Sequence, residues 1–297
     1  MKAIVFGGSG FLGGHVSDVL SEKGYDITIF DLKPYEHLRP NQEMIIGDIL
    51  DEKAVKEAIR DVNIVYNFAG IADIDEASKK PLETITNNIL GNAIILEAIK
   101  SQKVERYVFA STIYVYSNSG SFYRSSKQSC ELYIEDYSLL YGIPYTILRY
   151  GSLYGPRATQ NNPLHRILKQ ALLENKISYW GGGEEVREYI HVEDAARCSV
   201  EILDKNFINQ NVILTGQHSI KTKDLLMMIK EIFGGKIGIE MKDQKLETHY
   251  EITPYSFNPK IGRKYISYYY LDLGQGLLQC VDELYKKFDK AKQAMNG

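Results

Sequence analysis

The chain opens MKAIVFGGSGFLGG, Met1–Gly14, and this stretch decides the fold. Lys2–Phe6 is a short apolar run with Val and Ile, the pattern of a buried strand. Gly7, Gly8, Ser9 and Gly10 break it, and from Phe11 onward Leu12, His15, Val16, Val19 and Leu20 stand at helical spacing. Strand, glycine turn and helix make the first half of a βαβ unit. Gly8, Gly10 and Gly13 fit G-x-G-x-x-G, and Gly7, Gly10 and Gly13 fit G-x-x-G-x-x-G. One glycine makes the tight turn, a second lets the backbone approach a pyrophosphate, and a third lets helix and strand pack closely. The helix start then offers free N–H groups and a positive dipole end to phosphate. Gly7, Gly10, Phe11, Leu12 and Gly13 are the expected cofactor contacts of this turn.

The next strand strengthens the reading. Asp26–Phe30 is again apolar and β-branched, and Asp31 stands at its end, 18 residues past Gly13. A carboxylate at about that offset accepts from the adenosine ribose 2′-hydroxyl and repels a 2′-phosphate, which points to NAD. Lys33 nearby leaves NADP as an alternative, and an ordinary strand-end turn is the plainer explanation of Asp31.

Farther out, strand and helix patterns alternate. Strands are predicted at Glu43–Ile46, Asn63–Phe68, Arg106–Ala110 and Tyr145–Leu148. Helices are predicted at Ala54–Ile59, Pro81–Lys100 and Tyr123–Tyr141, the second with Leu82, Ile85, Ile89, Ala93, Leu96 and Ile99 on one face. Such alternation predicts an α/β fold, a doubly wound parallel Rossmann sheet. After Gly151 come a Gly-Pro loop at Leu153–Arg157, helices at Pro163–Glu174, Val192–Leu203 and Thr222–Phe233, and a strand at Asn211–Leu214. A Tyr-, Lys- and Pro-rich stretch then runs to Tyr270, before a last helix from Leu277. The expected division is a Rossmann domain of residues 1–151 plus roughly 188–214, and a smaller C-terminal substrate-binding domain of 152–187 and 215–297.

Length and composition bound the function. At 297 residues with a net charge of −3, the chain has core enough for one or two domains and no broad basic surface. Nucleic acid is not an expected partner. The first residues form a strand and no apolar run reaches membrane-spanning length, so a cytoplasmic protein with no membrane partner is expected. Cys130, Cys198 and Cys280 are scattered and show no metal spacing, so no metal is expected.

Tyr123 and Lys127 form Tyr-x-x-x-Lys, four apart and on one helical face. The ammonium is expected to lower the phenol pKa and make Tyr123 a base for a sugar hydroxyl. The preceding strand ends in Ser111 and Thr112, at the edge where ligands sit in such sheets, so both hydroxyls are expected where nicotinamide and substrate meet.

Together these segments resemble the extended short-chain dehydrogenase/reductases, in the nucleotide-sugar epimerase and dehydratase family. The likeness runs through GGSGFLGG, Asp31, Gly47-Asp48-Ile49, Asn67-Phe68-Ala69-Gly70, Ser111-Thr112 and Tyr123-x-x-x-Lys127. It continues through Leu148–Arg157 and Val186–Asp194. The resemblance implies that Asp48 and Ile49 contact adenine, that Ala69 and Gly70 run along NAD, and that Asn87 helps hold the cofactor region. It also implies cofactor contacts from Ser111 and Tyr150. Thr112 matches the catalytic Ser/Thr, Tyr123 the base and Lys127 the ribose-binding lysine. Arg187 matches the arginine that pairs with the substrate diphosphate, and Ser152 stands in the sugar site. The plainer alternative for Arg187 is an ion pair with Glu184, Glu185 or Glu188.

Departures bear on the substrate. Tyr123 follows Thr112 by only 11 residues, where the family usually carries a longer loop. Ser152 replaces an asparagine common in sugar epimerases, and Gly151 the aromatic beside it. The Leu-Gly ending before the last helix is shortened to Tyr269–Gly274. The family's dehydratases place Asp-Glu after the Thr; here those positions are Ile113 and Tyr114, which argues against a 4,6-dehydratase and a uronate decarboxylase. The expected activity is an NAD-dependent nucleotide-sugar epimerase acting through a 4-keto intermediate. The alternatives are a one-way dehydrogenase or 4-keto reductase, and a non-catalytic dinucleotide-binding protein. The family pairs its long helices between subunits, and Ile94, Ile95, Leu139 and Leu140 give these helices extra apolar faces, so a homodimer is expected.

Overall fold

A computed structural model of the chain describes residues 1–242 and 249–255. Its first half runs β1 (Lys2–Phe6), α1 (Phe11–Glu22), β2 (Asp26–Asp31), β3 (Gln42–Ile46), α2 (Glu52–Ala58), β4 (Ile64–Asn67), α3 (Ile74–Lys79), α4 (Pro81–Thr84), α5 (Gly91–Ile99) and β5 (Arg106–Thr112). The second half runs α6 (Ser121–Tyr141), β6 (Tyr145–Tyr150), β7 (Ser152–Tyr154), α7 (Pro163–Glu174), β8 (Lys176–Trp180), β9 (Val186–His191) and α8 (Val192–Glu201). It ends with β10 (Gln210–Leu214), β11 (Ser219–Lys221), α9 (Thr222–Ile232) and β12 (Gly238–Lys242).

Seven strands form one sheet in the order β3-β2-β1-β4-β5-β6-β10, every neighbouring pair parallel. This is the doubly wound sheet that the alternation predicts. Helices cover both faces, which is why the central strands read as unbroken apolar runs. On one face Phe6, Phe30, Tyr107 and Ile147 pack with Val55 of α2, Ile95 of α5 and Ile134 of α6. On the other, Val5, Ile29, Tyr66 and Leu148 pack with Val16 and Leu20 of α1 and Ala195 and Val200 of α8. The strand order reverses between β1 and β4, and sheets of this kind bind ligands beyond the carboxyl ends of the strands at that point.

Chain beyond β6 builds two small sheets, β11-β9-β7 and the parallel pair β12-β8. With α7 and α9 they enclose a separate core of Leu164, Ala171, Ile177, Leu226, Ile229 and Ile237. The division drawn at about residue 188 falls inside β9. Strand β11 has only three residues, and polar residues interrupt the apolar pattern of β8 and β12, so none of the three stands out in the sequence. The last helix from Leu277, the later part of the Tyr-rich stretch, Tyr269–Gly274 and Cys280 lie outside the described residues. Among the described residues no helix is long and apolar enough to cross a membrane.

Two predicted elements differ: the expected loop at Leu153–Arg157 begins inside strand β7, and one helix is broken. The helix over Pro81–Lys100 is interrupted by a π-helical segment at Ile85–Leu90. A π turn holds an extra residue, so the apolar stripe does not continue along one face. Leu82 and Ile85 are exposed, whereas Leu96 and Ile99 are fully buried.

Candidate active site

The turn after β1 is shaped by the absence of side chains. Gly7 has φ of +75°, and its carbonyl accepts from Gly10 N at 3.1 Å. A Cβ on Gly13 would lie 2.3 Å from Gly7 O, and one on Gly7 would lie 2.6 Å from Ala69 N. Helix α1 therefore starts hard against β1 and the β4 end. Its N-cap is Gly10, with no side-chain cap and no acidic residue in the first turn. The leading N–H groups are thus left for an external anion. Asp31 braces the same turn: its two carboxylate oxygens accept from Ser9 N at 3.1 Å and Lys33 N at 3.2 Å. The residues present fit a dinucleotide, with a side-chain-free cradle for its pyrophosphate and a carboxylate fixed beside it for a ribose hydroxyl.

The second cluster grows from β5 and α6. Beyond Thr112 a 3₁₀ turn, Ile113–Tyr116, leads to Gly120 and Ser121, both left-handed, with φ of +101° and +49°. This pair turns the chain directly into α6, which is how so short a connection is closed. Tyr123 enters the cavity in the first turn of α6 and is hydrogen-bonded to Thr112. Lys127 is buried one turn on; its Nζ donates to Ala110 O at 2.7 Å and lies 4.6 Å from the Phe109 ring centroid. The trio is assembled as the sequence suggests.

Its electrostatics differ from the expectation. Burial pushes the Tyr123 hydroxyl up to about 12, against a smaller downward pull from Thr112. Lys127 is itself pushed down to about 8 by burial, partly offset by Cys130 and Glu131. The ammonium is 5.9 Å from the Tyr123 ring centroid and spends its hydrogen bond on a backbone carbonyl. In the protein alone, desolvation outweighs the Thr112 hydrogen bond, and the phenol stays protonated.

Ser111 lines the cavity, but its hydroxyl donates elsewhere. It alternates with Thr112 along β5, so its hydroxyl turns to α6 and donates to Glu131 Oε1 at 2.5 Å. Glu131 accepts from Arg149 Nε at 3.0 Å and Nη2 at 2.6 Å, and Arg149 Nη1 also donates to the Tyr116 hydroxyl. Tyr123, Lys127 and Glu131 are thus successive turns of one helix face. The i+4 spacing after Lys127 was a legible signal for Glu131, but its burial and its Arg149 partner were not.

Other expected residues divide. Gly70 lines the cavity with φ of +128°, and Ala69 N donates to Asn67 Oδ1. Asn87 does not reach the site: its Nδ2 donates to Glu83 O. The neighbouring Asn88 is buried and does the tethering. Its Oδ1 accepts from Ile71 N at 2.7 Å, and its Nδ2 donates to Ile71 O and to Ser126 Oγ. The π segment decides which asparagine faces inward. Ile49 is buried against Gly91, and Asp48 Oδ1 accepts from Leu50 N; neither lines the cavity. Tyr150 lines it, but its hydroxyl is turned away to Ser199 Oγ at 2.6 Å. Ser152 and Arg187 both line it. Arg187 lies 4.2 Å over the Tyr250 ring, and its Nη1 donates to the carbonyls of Val186 and Glu251 at 3.3 Å. This guanidinium is packed as a platform on the cavity wall.

The cavity is continuous from the glycine turn to Arg187, about 2210 Å³. That exceeds the ~300–1,000 Å³ typical for one small ligand, so it has room for a dinucleotide and a second ligand end to end. The fold and this site define an α/β dinucleotide-binding protein in which Thr112, Tyr123 and Lys127 line the cavity that holds the glycine cradle. A family model described as the NAD dependent epimerase/dehydratase family matches residues 3–214, and the chain belongs to that family. A putative UDP-glucose 4-epimerase of Methanocaldococcus jannaschii is 30% identical over 253 residues, 78% of this chain and 82% of the relative. A UDP-N-acetyl-alpha-D-glucosaminuronate decarboxylase of Bacillus cytotoxicus is 28% identical over 247 residues, 74% of this chain and 76% of the relative. Among solved structures, the UDP-glucuronic acid 4-epimerase of Bacillus cereus, in complex with UDP-glucuronic acid and NAD, aligns with a TM-score of 0.79 and 25% identity. That alignment covers 88% of this chain and 95% of the other.

Proposed function

We propose that the protein is an NAD-dependent nucleotide-sugar 4-epimerase. The observation that carries this reading is the convergence of the Thr112 and Tyr123 hydroxyls above buried Lys127, in one cavity with the glycine cradle and Arg187. Asp31 would accept from a ribose hydroxyl of NAD held in the cradle and Lys127 would hold the other ribose, and the cofactor would supply hydride acceptance and return at the sugar C4. Tyr123 takes the proton of the C4 hydroxyl and later returns it, while Thr112 holds the same oxygen. Arg187 pairs with the substrate diphosphate, for which a guanidinium fork is suited. Ser152 contacts the sugar.

The same reading includes a homodimer in the cytoplasm. In support, α6 exposes Leu132, Leu139 and Leu140, and the neighbouring helical segments expose Leu82 and Leu90. Ile94 and Ile95 do not contribute, since both are in the core. Cys130 and Cys198 are free thiols, in keeping with a reducing compartment.

The test is to purify the protein, identify the cofactor released on denaturation, and follow candidate nucleotide sugars by NMR. Retained NAD with interconversion of C4 epimers and no net reduction of cofactor is the expected result. Stoichiometric accumulation of reduced cofactor with a keto product would replace this reading by a one-way dehydrogenase.

A further inference from the structure

The cavity holds a second polar chain that the Thr-Tyr-Lys centre does not use. His249 Nδ1 lies 2.9 Å from the Tyr114 hydroxyl, and His249 Nε2 lies 3.8 Å from Asp75 Oδ1. The Tyr114 ring meets Tyr123 edge to face at 6.4 Å and packs on Tyr250 at 4.5 Å, and Tyr250 carries the Arg187 guanidinium. Tyr114 lines the cavity between Tyr123 and the Tyr250–Arg187 stack, so a ligand stretched from Tyr123 to Arg187 runs along its side chain. The long loop usual in relatives is absent here, and His249 and Tyr250 stand against Tyr114 along this wall.

We propose that the Asp75–His249–Tyr114 chain makes the sugar subsite accept an uncharged, hydrogen-donating substituent beside the reacting carbon and reject a uronate carboxylate. The proposal rests on the nucleotide-sugar reading above and narrows its substrate class. A carboxylate beside Nε2 favours the imidazole tautomer with its proton on that nitrogen. Nδ1 is then a lone pair, and the Tyr114 hydroxyl must donate to it. With its proton committed, the phenol oxygen offers the cavity only lone pairs. It can accept from a sugar O–H or N–H, and it repels a carboxylate oxygen.

The surrounding charges agree. Burial holds Tyr114 protonated and lowers the His249 pKa, so the imidazole is neutral at pH 7. Asp75 and Asp73 raise the His249 pKa and Arg187 and Arg166 lower it, but burial is the largest influence. Asp73 and Asp75 line the cavity on the His249 side, where they oppose a second anion. The two guanidiniums are the cations facing this ring, and Arg187 is engaged by the diphosphate in the reading above. The relatives named above carry names for both neutral and uronic sugars, so the family alone leaves this choice open.

The experiment measures binding, separately from turnover. Purified protein with its cofactor is titrated calorimetrically with UDP-glucose and with UDP-glucuronate. UDP-glucose should bind at least about tenfold more tightly, the value of one hydrogen bond gained against one acceptor–acceptor contact. Tyr114→Phe and Asp75→Asn should each shrink that ratio; Asp75 is exposed, so its variant keeps the test open if Tyr114→Phe does not fold. In ¹⁵N NMR at neutral pH, His249 should carry its proton on Nε2. UDP-glucuronate binding as tightly as UDP-glucose overturns the proposal and leaves the nucleotide-sugar reading standing. Binding of neither sugar overturns this proposal, and the nucleotide-sugar reading falls with it if the cofactor analysis and the NMR screen above are also negative. A proton on Nδ1, or an unchanged ratio in the folded variants, overturns the proposal.

Discussion

Tyr123 and Lys127 are one turn apart, yet their environment sets their ionisation more than their spacing does. A phenol raised to about 12 is a poor resting base, so in the proposed reaction proton transfer by Tyr123 depends on charge brought in by the loaded site. Tyr123→Phe keeps the packing and removes the proton carrier. Steady-state turnover should fall by ~10²–10⁴ with cofactor still bound, and Thr112→Ala should lose less. Wild-type turnover by Tyr123→Phe across pH 6–9 would show that another group moves the proton.

Lys127 makes a separate, thermodynamic prediction. Its folded pKa, about 8, lies below the ordinary 10.5, so the unfolded chain binds the extra proton between those values. The cost of burying the ammonium is therefore complete below pH 8 and fades as pH rises towards 10.5. Denaturant unfolding of wild type and Lys127→Met should show wild type losing about 3 kcal/mol relative to the variant from pH 10.5 to pH 8, with no further change below. A difference independent of pH would mean that Lys127 is not desolvated.

Among the elements, the helical run from Pro81 to Ile99 shows how local geometry redirects a pattern. Periodicity alone places Leu82, Ile85, Leu96 and Ile99 on one face, but the π segment separates them into exposed and buried pairs. It also brings Asn88 inward to bridge the β4 loop and α6. Asn88→Ala would leave the Ile71 N–H and C=O without these partners, at about 2–4 kcal/mol if neither is rehydrated. Thermal and denaturant unfolding should register that loss, whereas Asn87→Ala should change stability by less than about 1 kcal/mol, the net value of one exposed hydrogen bond.

For the whole molecule, exposed leucines point outward from paired helices. Leu139 is 83% and Leu140 71% exposed, and Leu132 63%, along one side of α6. Large exposed apolar patches mark association surfaces. Light scattering at micromolar concentration should give a dimer mass, and Leu132→Asp with Leu139→Asp should give a folded monomer. A wild-type monomer would remove the helix-pair interface from the reading.

The glycine turn, the strand carrying Asp31, the sheet alternation and the Thr112, Tyr123 and Lys127 trio were all legible in the sequence. Each depends on steric exclusion or on periods of 2 and 3.6, which are properties of neighbouring residues. The sequence by itself therefore determined the sheet, the cradle and the helix face that carries Tyr123 and Lys127. Only the tertiary structure decided that Ser111 serves Glu131, that Asn88 replaces Asn87, and that Ile49 belongs to the core. It also decided that His249 meets Tyr114, 135 positions away. These outcomes depend on which buried polar groups find partners, and on how far burial outweighs charge. Both are set by groups brought together from distant parts of the chain, and no local spacing encodes them.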